Sequence, residues 1–482
     1  MKKEDFLHFF DEIFAYVKKL LYFCTRFRKE DISRSRAEVA RQAHNLKVGG
    51  SIPPSATSMK KHILFLLICS TLSVSAVERV SLQQLQSDWA KYINHDVCIS
   101  DPLVVCGSFY DSLLLAPQRL FSPEERAEGL ATGDSTHYWA IVAKNKTVSL
   151  CLHCRNQYYK VRTGDIVRNL KARVTAERQL LTGRSVSTRH QPADKLPKPK
   201  RGELRVVGAN IENYFADLGG YAHRKTTPAQ QDLQTRKLIQ AMRTMDADIF
   251  AFCEMQVGDK APQMLLAELN KKKPTYAYVS FGLADKDRIG GAFIYKTDRV
   301  RPCGEWLTAY KDTSSHYCAR VALQGFEDLQ TSEKLIISLS HFKSKRPGRG
   351  NYSTNEKRLE NADSLLAAIP QAITLYGDSD ILLLGDYNCY SAEAPIYRIK
   401  QAGYIEMLPL GSENDYSYNY KGESGYLDRC FASPSMVTQI VRVRPWHVNA
   451  DWYYQHGAYK MKDKSYHRYS DHDPIIVDLN LK

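Results

Sequence analysis

The residues best suited to chemistry form the sequence Gly385-Asp386-Tyr387-Asn388, which directly follows the apolar residues 381–384. A short apolar run bounded by polar turn residues is typical of a strand buried on both faces. Because residues i and i+2 of a strand share a face, Asp386 and Asn388 would point the same way at its end. A carboxylate beside a carboxamide is a suitable pair for holding a phosphate next to a metal ion. A strand followed by an ordinary Asx turn would give the same pattern.

Three more apolar runs end at a polar side chain, and these side chains are Asn210, Glu254 and His341. Each run predicts a buried strand that brings its last side chain to the edge of a sheet. A buried glutamate needs a partner, and a cation is a suitable one. The alternatives are an ordinary strand cap for Asn210 and a hydrogen-bonded structural role for His341.

Two further motifs lie near the C-terminus. Asp428 begins a strand pattern in the sequence Leu427-Asp428-Arg429-Cys430-Phe431. The sequence Ser470-Asp471-His472-Asp473-Pro474 lies immediately before the last apolar run, residues 475–477. Both motifs therefore place titratable side chains at the start of a late strand.

The chain around these motifs alternates strand and helix patterns from Arg201 to the C-terminus. Residues 230–245, for example, carry apolar side chains at helical spacing, between the strand ending at Asn210 and the strand ending at Glu254. The alternation extends over about 280 residues and predicts one large α/β domain at residues 201–482.

Taken in order, these six motifs resemble the endonuclease/exonuclease/phosphatase superfamily, which has the deoxyribonuclease I-like fold. The match spans Arg201 to the C-terminus, and its most diagnostic parts are Gly385-Asp386-Tyr387-Asn388 and Ser470-Asp471-His472-Asp473-Pro474. The resemblance implies a four-layer αββα sandwich, in which two packed mixed β-sheets are flanked by helices.

The resemblance also implies a divalent metal site. Glu254 would be the main ligand, with Asn210 and Asp471 nearby. Ligands that are all oxygen suit Mg²⁺, and Mn²⁺ or Ca²⁺ are possible instead. The metal would stabilise charge that grows on the phosphate and on the leaving oxygen.

The same resemblance assigns catalytic roles. His472 would take a proton from water, with Asp428 orienting its ring. His341 would contact the phosphate and assist the leaving group, while Asp386 and Asn388 hold the phosphate and the nucleophile. Both Asp386 and His472 are candidates for the general base. The carboxylate that normally orients the histidine equivalent to His341 is missing from the residues just before 290–292.

Three cationic side chains are the predicted substrate contacts, namely Arg320, Lys343 and Lys345. Arg320 lies where the family often has a phosphate-contacting arginine, although the sequence around it departs from the usual form. Lys343 and Lys345 belong to a basic loop, residues 343–349, that directly follows His341.

Members of this superfamily cleave DNA, RNA, sphingomyelin and inositol phosphates, so the fold leaves the substrate open. The chain carries 67 Lys and Arg against 53 Asp and Glu, and its net charge of +14 favours a polyanionic partner. Residues 446–469 are rich in aromatic and basic side chains that could stack on bases. We therefore expect a metal-dependent phosphodiesterase, a nuclease acting on extracellular DNA or RNA.

The alternatives are a sphingomyelinase-like enzyme or other phosphoesterase, and an inactive nucleic-acid-binding module. The aromatic residues near 452–454 could dip into a membrane interface, as the aromatic hairpins of secreted sphingomyelinases do. That stretch has no continuous aliphatic wedge, which favours the nuclease. The sequence predicts no oligomeric state.

Residues 77–190 predict a smaller domain. Several short apolar runs separated by turns suggest a small, mostly-β domain, and the pattern after Val161 looks like the closing strands of an OB-type barrel. Such barrels often hold single-stranded nucleic acid, but a structural or docking role is the alternative. Residues 191–200, with three prolines and three lysines, predict a linker.

The N-terminus predicts export. Residues 59–76 have a basic start, an apolar core and small residues before Ala76, which is the pattern of a cleaved signal peptide. The apolar core is too short to span a bilayer, so we expect a secreted or periplasmic protein with no stable membrane insertion. A lipid on Cys69 is the weaker alternative. Residues 1–58 precede the signal and predict a spurious or disordered extension.

Nine cysteines follow Ala76, and an odd number in an exported protein leaves at least one thiol outside an intrachain disulfide. Cys98 with Cys106, and Cys303 with Cys318, are close enough in sequence to form disulfides.

Overall fold

The computed structural model describes residues 77–482, apart from 109–111, 127–137, 143–160, 183–185, 187, 191, 219–225, 282–288, 310–320, 347–353, 411, 413 and 453–464. The predicted signal peptide and the extension before it lie outside these residues, as does Arg320. Residues 77–482 form one compact unit. Among the helices of this described part, none combines the length and apolar character needed to cross a bilayer.

The described part of residues 77–190 is mostly β-structure. Its strands are β1 (Glu78–Val80), β2 (Asp96–Ile99), β3 (Leu103–Ser108), β4 (Ser112–Ala116), β5 (Leu120–Phe121), β6 (Tyr138–Val142), β7 (Ile166–Val167), β8 (Leu170–Val174), β9 (Gln179–Thr182) and β10 (Thr188–Arg189). Its helices are α1 (Leu82–Ser87), α2 (Trp89–Tyr92) and α3 (Pro123–Arg126).

All of these strands except β5 belong to one sheet, in the order β1-β2-β8-β9-β6-β4-β3-β7-β10. Along β8, buried and exposed residues alternate, so that one face of this strand lies against the core. The core beneath the sheet includes Leu85, Val105 and Leu115. The mostly-β character is as predicted, whereas an OB-type barrel stays a prediction.

The first sheet of the C-terminal part has the order β13-β14-β12-β11-β25-β24. Its strands are β11 (Leu204–Tyr214), β12 (Ile249–Gln256), β13 (Tyr276–Phe281), β14 (Ile289–Lys296), β24 (Ile440–Pro445) and β25 (Ile475–Leu479). β11 runs parallel to β12 and antiparallel to β25, so the sheet is mixed.

The second sheet has the order β15-β17-β18-β19-β23-β20, with β16 also paired to β17. Its strands are β15 (Val300–Pro302), β16 (Leu307–Thr308), β17 (Val321–Asp328), β18 (Lys334–His341), β19 (Ile381–Asp386), β20 (Ile405–Glu406) and β23 (Asp428–Ala432). β18 runs parallel to β19, and β19 runs antiparallel to β23. A separate hairpin consists of β21 (Tyr418–Tyr420) and β22 (Glu423–Gly425).

Helices cover the outer faces of both sheets. They are α4 (Pro228–Met245), α5 (Lys260–Leu269), α6 (Thr354–Tyr376) and α7 (Ala394–Gln401). The short α8 (Pro434–Val437) instead contributes Met436 to the core between the two sheets. Thr227 is the N-cap of α4, its side chain forms a capping box with Gln230, and Pro228 occupies the first turn.

Three layers of apolar side chains hold these elements together. Leu382 and Leu384 face the core between the two sheets, while Leu383 faces the core beneath α6 and α7. In the same way, Val206 faces the core between the sheets, and Val207 faces the core beneath α4 and α5. The strands are buried on both faces, as predicted, and the four-layer αββα sandwich of two mixed sheets is confirmed.

The described cysteines differ from one expectation. Cys98 is a buried free thiol, so the disulfide with Cys106 suggested by their spacing is absent. Cys303 is also a free thiol, and Cys318 lies outside the described residues.

Candidate active site

The polar side chains predicted at strand ends meet at one edge of the sandwich. Asn210 and Glu254 lie at irregularities within β11 and β12, however, and do not end these strands as predicted. His341 on β18 pairs in register with Asp386 on β19, which in turn pairs with Asp428 on β23. Asn210 belongs to β11 in the other sheet, yet its side-chain nitrogen is 3.1 Å from Asp386 Oδ2. The two sheets therefore contribute to a single polar centre with Asp386 in its middle.

Gly385 sets the direction of Asp386. Its φ is +139°, and a Cβ atom at this position would lie 1.9 Å from the backbone oxygen of Ser340 on β18. Asn388 also has a positive φ, of +50°. The Gly-Asp-x-Asn sequence thus ends β19 in a tight backbone path that returns the Asn388 carboxamide toward Asp386.

The Asp386 carboxylate accepts its hydrogen bonds from neutral donors. Its Oδ1 accepts a hydrogen bond from the Asn388 backbone at 2.8 Å. Its Oδ2 accepts from the carboxamides of Asn210 at 3.1 Å and Asn388 at 3.2 Å. Burial raises the pKa of Asp386 to about 7, and the His472 charge opposes this rise.

Glu254 interrupts β12 in a left-handed backbone conformation, with a φ of +60°. Its Oε2 accepts a hydrogen bond from the Asn213 backbone at 2.9 Å. Glu212 and Asn213 on the neighbouring strand have positive φ values too, of +54° and +50°. Residues with side chains rarely adopt this conformation, and those that do cluster at functional sites. The strain therefore marks the Glu254 end of the site as specialised.

His341 lies between two carboxylates. Its Nε2 is 3.6 Å from Glu254 Oε1 and 3.9 Å from Asp386 Oδ2. These three side chains each place a ligand atom within 4.8 Å of the other two, and this group could hold a metal ion. Asp386, Asp428 and His472 form a second such group, so Asp386 belongs to both.

His472 and Asp428 form a buried pair. The Nδ1 of His472 donates a hydrogen bond to Asp428 Oδ2 at 2.7 Å. The Ser417 hydroxyl donates to the same oxygen at 2.8 Å, and the Tyr418 ring stacks on the imidazole with centroids 4.4 Å apart. The other ring nitrogen, Nε2, is 3.9 Å from Asp386 Oδ2. Asp428 thus directs Nε2 toward the polar centre.

The electrostatics of this pair favour a charged imidazole. Burial opposes the charge, but the carboxylates of Asp428 and Asp386 outweigh it and raise the pKa of His472 well above its ordinary value. Asp471, which precedes it, is only partly buried. Among the described residues, the two possible metal-binding groups do not include Asp471.

The predicted lysines contact residues beside the centre. The Lys343 ammonium donates to the backbone oxygens of Ser344 at 3.1 Å and Arg346 at 3.0 Å. Lys345 forms an ion pair with Glu393, and its ammonium lies 4.1 Å from the Tyr390 ring centroid. Both ammonium groups are therefore paired within the loop or with Glu393, and a substrate contact by either lysine stays a prediction.

Several residues of the site carry no signal in the sequence. Ser417 and Tyr418 lie in a polar stretch without a motif, and only the fold brings them to Asp428 and His472. Asp473 does belong to a motif, but its role is structural.

Asp473 Oδ1 accepts backbone hydrogen bonds from Val448 at 3.0 Å, Asn449 at 2.7 Å and Ala450 at 3.1 Å. The Asn449 carboxamide then donates to the backbone oxygen of His472 at 2.7 Å. Asp473 therefore fixes the loop that holds His472 in place.

A cavity of about 610 Å³ lies away from this centre. Its lining includes Arg119, Tyr416, His447 and Trp452, and it contains none of Glu254, Asp386 and His472. The polar centre is thus distinct from this cavity.

Comparison with solved structures finds, among others, the following three. An endonuclease/exonuclease/phosphatase family protein from Bacteroides thetaiotaomicron is 18% identical, with a TM-score of 0.40, over 59% of this chain and 98% of that one. A mannosyl-6-phosphatase from the same organism is 17% identical, with a TM-score of 0.40, over 57% and 99%. An AP endonuclease from Archaeoglobus fulgidus is 14% identical, with a TM-score of 0.40, over 58% and 100%.

No curated protein matches the chain. The model of the Endonuclease/Exonuclease/phosphatase family matches residues 209–472, which are more than half of the 482 residues. This segment contains the polar centre from Asn210 to His472. The chain therefore belongs to the Endonuclease/Exonuclease/phosphatase family.

Proposed function

We propose that the protein is a secreted, divalent-metal-dependent nuclease that hydrolyses DNA or RNA by attack of water on a phosphodiester. Its family consists of enzymes that hydrolyse phosphoesters. The observation that carries the proposal is the position of Asp386 between the Glu254–His341 group and the Asp428–His472 pair. This arrangement joins a possible cation site to a group able to move a proton, which phosphoester hydrolysis requires.

The donors around Glu254 fit a hard divalent cation. Glu254 and Asp386 offer carboxylate oxygens, and hard cations such as Mg²⁺ prefer oxygen ligands. A carboxyl whose pKa burial raises to about 7 is also one that a nearby cation would favour in its ionised form. We propose Mg²⁺ at this site, with Glu254 as its main ligand and Asn210 and Asp471 nearby. When bound, it would stabilise charge on the phosphate and the leaving oxygen.

We propose that Asp386, and not His472, is the general base. Burial raises its pKa to about 7 in the metal-free site, and a cation at Glu254 would keep the carboxylate ionised and able to accept a proton from water. Asn388 would orient the water and the phosphate, since its carboxamide is 3.2 Å from Asp386 Oδ2. His472 has a pKa well above its ordinary value, so its Nε2–H would donate to a phosphate oxygen.

His341 faces the same centre from β18. Its Nε2 is within 4 Å of both Glu254 and Asp386, so a phosphate drawn to a cation at these carboxylates would lie beside it. We propose that His341 contacts the phosphate and assists the leaving oxygen. Arg320, which lies outside the described residues, stays a proposed phosphate contact.

Charge favours nucleic acid as the substrate. The chain after Ala76 carries 54 Lys and Arg against 46 Asp and Glu, a net charge of +8, and Lys345 follows the strand end that carries His341. Lys345 is about one-third exposed and paired with Glu393, so a polynucleotide phosphate could replace that carboxylate as its partner. A polymer with phosphates on both sides of the scissile bond could place one of them at Lys345, whereas a small phosphomonoester has no second phosphate to place there.

The aromatic stretch supports the nuclease over a lipid phosphodiesterase. Trp452 packs on the His467 ring, with centroids 4.5 Å apart, and the Arg162 guanidinium lies 5.0 Å from its centroid. A tryptophan held between these groups does not project into a membrane. Residues 453–464 lie outside the described part of the chain.

The test is to incubate the purified protein with supercoiled plasmid, single-stranded RNA, sphingomyelin vesicles and p-nitrophenyl phosphate, with Mg²⁺ or with EDTA. His472→Ala is the inactive variant, and His95→Ala, at an exposed position, is its matched control. We expect Mg²⁺-dependent cleavage of a nucleic acid that EDTA and His472→Ala abolish and His95→Ala preserves.

Hydrolysis of sphingomyelin or p-nitrophenyl phosphate without nucleic acid cleavage would contradict the proposed substrate. The proposal that the protein is a phosphoester hydrolase would still stand. Absence of all four activities in the wild type would contradict the proposal that the protein is an active hydrolase. Secretion is tested separately by sequencing the N-terminus of the exported protein, which we expect to begin next to Ala76. An exported chain that begins at Met1 would contradict the predicted signal peptide.

A further inference from the structure

The β-rich region before residue 191 enters the catalytic part of the molecule. β5 adds to the β21–β22 hairpin as a parallel strand, with Leu120 opposite Glu423 and Phe121 opposite Ser424. The Ser122 backbone continues this pairing by donating to the Ser424 oxygen at 2.9 Å. The hairpin therefore has one strand partner from outside the family-matched segment.

Helix α3 places a carboxylate deep within that segment. Glu125 is 1% exposed, and its Oε1 accepts hydrogen bonds from Arg429 at 3.1 Å and from the Tyr426 backbone at 3.0 Å. Its Oε2 accepts from the Ser391 hydroxyl at 2.5 Å. Arg429 is itself fully buried and also pairs with Glu406. A buried arginine of this kind needs such carboxylates.

The two segments joined by Glu125 are those that carry the catalytic centre. Tyr426 and Arg429 flank Asp428, the partner of His472. Ser391 follows shortly after Asn388, and the two segments also bond directly, because the Tyr387 backbone donates to the Leu427 oxygen at 2.8 Å. One side chain from the β-rich region thus fixes the spacing between the Asp386 loop and the Asp428 strand.

The hairpin provides a second connection. Ser417, immediately before β21, donates to Asp428, and Tyr418, the first residue of β21, stacks on His472. The far side of the hairpin is held by the β-rich region, since Arg119 donates to the Ser424 hydroxyl at 3.2 Å. The Asn419 carboxamide also donates to the Cys106 oxygen at 3.2 Å.

We propose that the β-rich region is part of the catalytic scaffold, and that Glu125 is a positioning residue that sets the Asp428–His472 pair against Asp386 through Tyr426, Ser391 and Arg429. This assigns the region a role in the rate of the reaction. A region that only captured substrate would instead act on KM.

The experiment replaces Glu125 in the full chain. Glu125→Ala removes all three contacts, and Glu125→Gln keeps the shape and one acceptor. Asp96→Ala is the matched control, because it removes a carboxylate of the same region that forms an exposed ion pair with Arg173 at 2.8 Å. Thermal melts establish which variants are folded at the assay temperature.

We expect Glu125→Ala to lower kcat by about tenfold to a hundredfold with KM within about twofold of wild type, because displacing catalytic groups by about 1 Å has an effect of this size. Glu125→Gln should show a smaller loss of the same kind. Asp96→Ala should match the wild type in both constants.

The rate measurement rests on the proposed function, so a second readout does not use a substrate. In ¹⁵N-histidine-labelled protein, the Nδ1–H of His472 that donates to Asp428 gives a downfield proton signal, assigned by its loss in His472→Ala. We expect this signal to shift or broaden in Glu125→Gln and to stay unchanged in Asp96→Ala.

Each outcome is decisive. A folded Glu125 variant with wild-type kcat and an unchanged His472 signal would overturn the positioning role, as would a change in KM alone. If the wild type hydrolyses none of the substrates, the proposed function fails, and the His472 signal still decides this inference. If Glu125→Ala does not fold, Glu125→Gln decides it.

Discussion

Asp386 is the residue through which the two halves of the site interact. It faces His341 at 3.9 Å on one side and His472 at 3.9 Å on the other, and two carboxamides bind its oxygens. In the proposed mechanism, the negative charge of this carboxylate would both attract a cation and accept a proton. Its hydrogen-bond donors are neutral and do not offset the effect of burial, which raises the pKa of Asp386 to about 7.

Replacing Asp386 by Asn should separate chemistry from structure. The new carboxamide would keep the size and most hydrogen bonds of the side chain but could not accept a proton, so we expect kcat to fall by about 10²- to 10⁴-fold. The measurement is steady-state hydrolysis of the substrate found in the first assay. Asp363→Asn, which breaks an exposed ion pair with Arg398, is the control and should retain activity. Near-normal kcat in Asp386→Asn would assign the base to another group.

The pKa of Asp386 also predicts how stability depends on pH. Its value is about 7 in the folded protein and 3.8 as the reference, so the folded state binds more protons between these pH values. Asp386 therefore favours the folded state less and less as pH rises from about 4 to about 7 in metal-free protein. A cation beside the ionised carboxylate would offset this loss, and its stabilising effect should grow with pH.

Thermal melts at pH 5 and pH 8, each with EDTA and with Mg²⁺, test this expectation. We expect Mg²⁺ to raise Tm more at pH 8 than at pH 5, and Asp386→Asn to reduce that difference. If Mg²⁺ raised Tm equally at both pH values, or if the pH difference were unchanged in Asp386→Asn, cation binding would not depend on the charge of Asp386.

At the scale of elements, β19 shows what a sequence pattern specifies. The apolar run 381–384 predicts a strand buried on both faces, and the structure confirms it because Leu382 and Leu383 enter different cores. The Gly-Asp-x-Asn motif predicts where the strand ends. The close approach of Ser340 to Gly385 was not predictable, because it depends on the parallel neighbour β18.

Gly385→Ala should therefore be strongly destabilising. The added Cβ would meet a backbone oxygen at 1.9 Å, and φ is +139°, so we expect a loss of about 2–4 kcal/mol in the free energy of unfolding. Gly304→Ala is the matched control, since its φ is +73° but nothing lies within 4 Å of the added Cβ. It should cost about 1 kcal/mol, from the backbone conformation alone.

Urea unfolding of both variants gives the two free energies. Equal losses would mean that the contact with Ser340 relaxes without cost. In that case the backbone conformation of Gly385 alone would hold the strand end. The close approach of Gly385 to Ser340 would then not be required for the position of Asp386.

The second element, the β21–β22 hairpin, shows where sequence reasoning stops. Ser417 and Tyr418 bind Asp428 and His472, but no spacing or composition distinguishes them from other polar loop residues. Strand ends are predictable because burial of both faces leaves a periodic record in the sequence. A contact between a loop and a distant strand leaves none, and Glu125 was missed for the same reason.

At the scale of the whole molecule, the region before residue 191 and the catalytic sandwich share buried polar contacts. Arg119 pairs with Asp451 at 3.0 Å, and its guanidinium lies 4.1 Å from the Tyr416 ring centroid. The segment predicted as a linker is also bonded to the sandwich, because the Trp446 indole donates to the Asp194 oxygen at 3.0 Å. Proline and lysine content predicted an extended connection but could not show that it lies against a surface.

Net charge distinguishes the proposed substrates at this scale. A protein that binds a polynucleotide through several phosphates releases counterions, and its affinity then falls with a slope of about −0.9 per phosphate on a logarithmic salt scale. For only two phosphates, raising salt from about 50 to about 200 mM should weaken binding by about tenfold. The headgroup of sphingomyelin carries no net charge, and a phosphomonoester is a small dianion without the condensed counterions of a polymer, so neither would give a slope of this size.

Binding of the inactive His472→Ala variant to a fluorescent DNA or RNA oligonucleotide, measured by anisotropy at several salt concentrations, gives the slope directly. Replacing Lys345 by Ala should reduce it by about one phosphate if this ammonium leaves Glu393 to bind the polynucleotide. Lys271→Ala, which removes an exposed lysine paired with Glu268 on the surface, is the matched control and should leave the slope unchanged. A slope near zero in the parent variant would show that the positive charge of the chain does not serve nucleic acid binding, and the substrate would then be a small phosphoester.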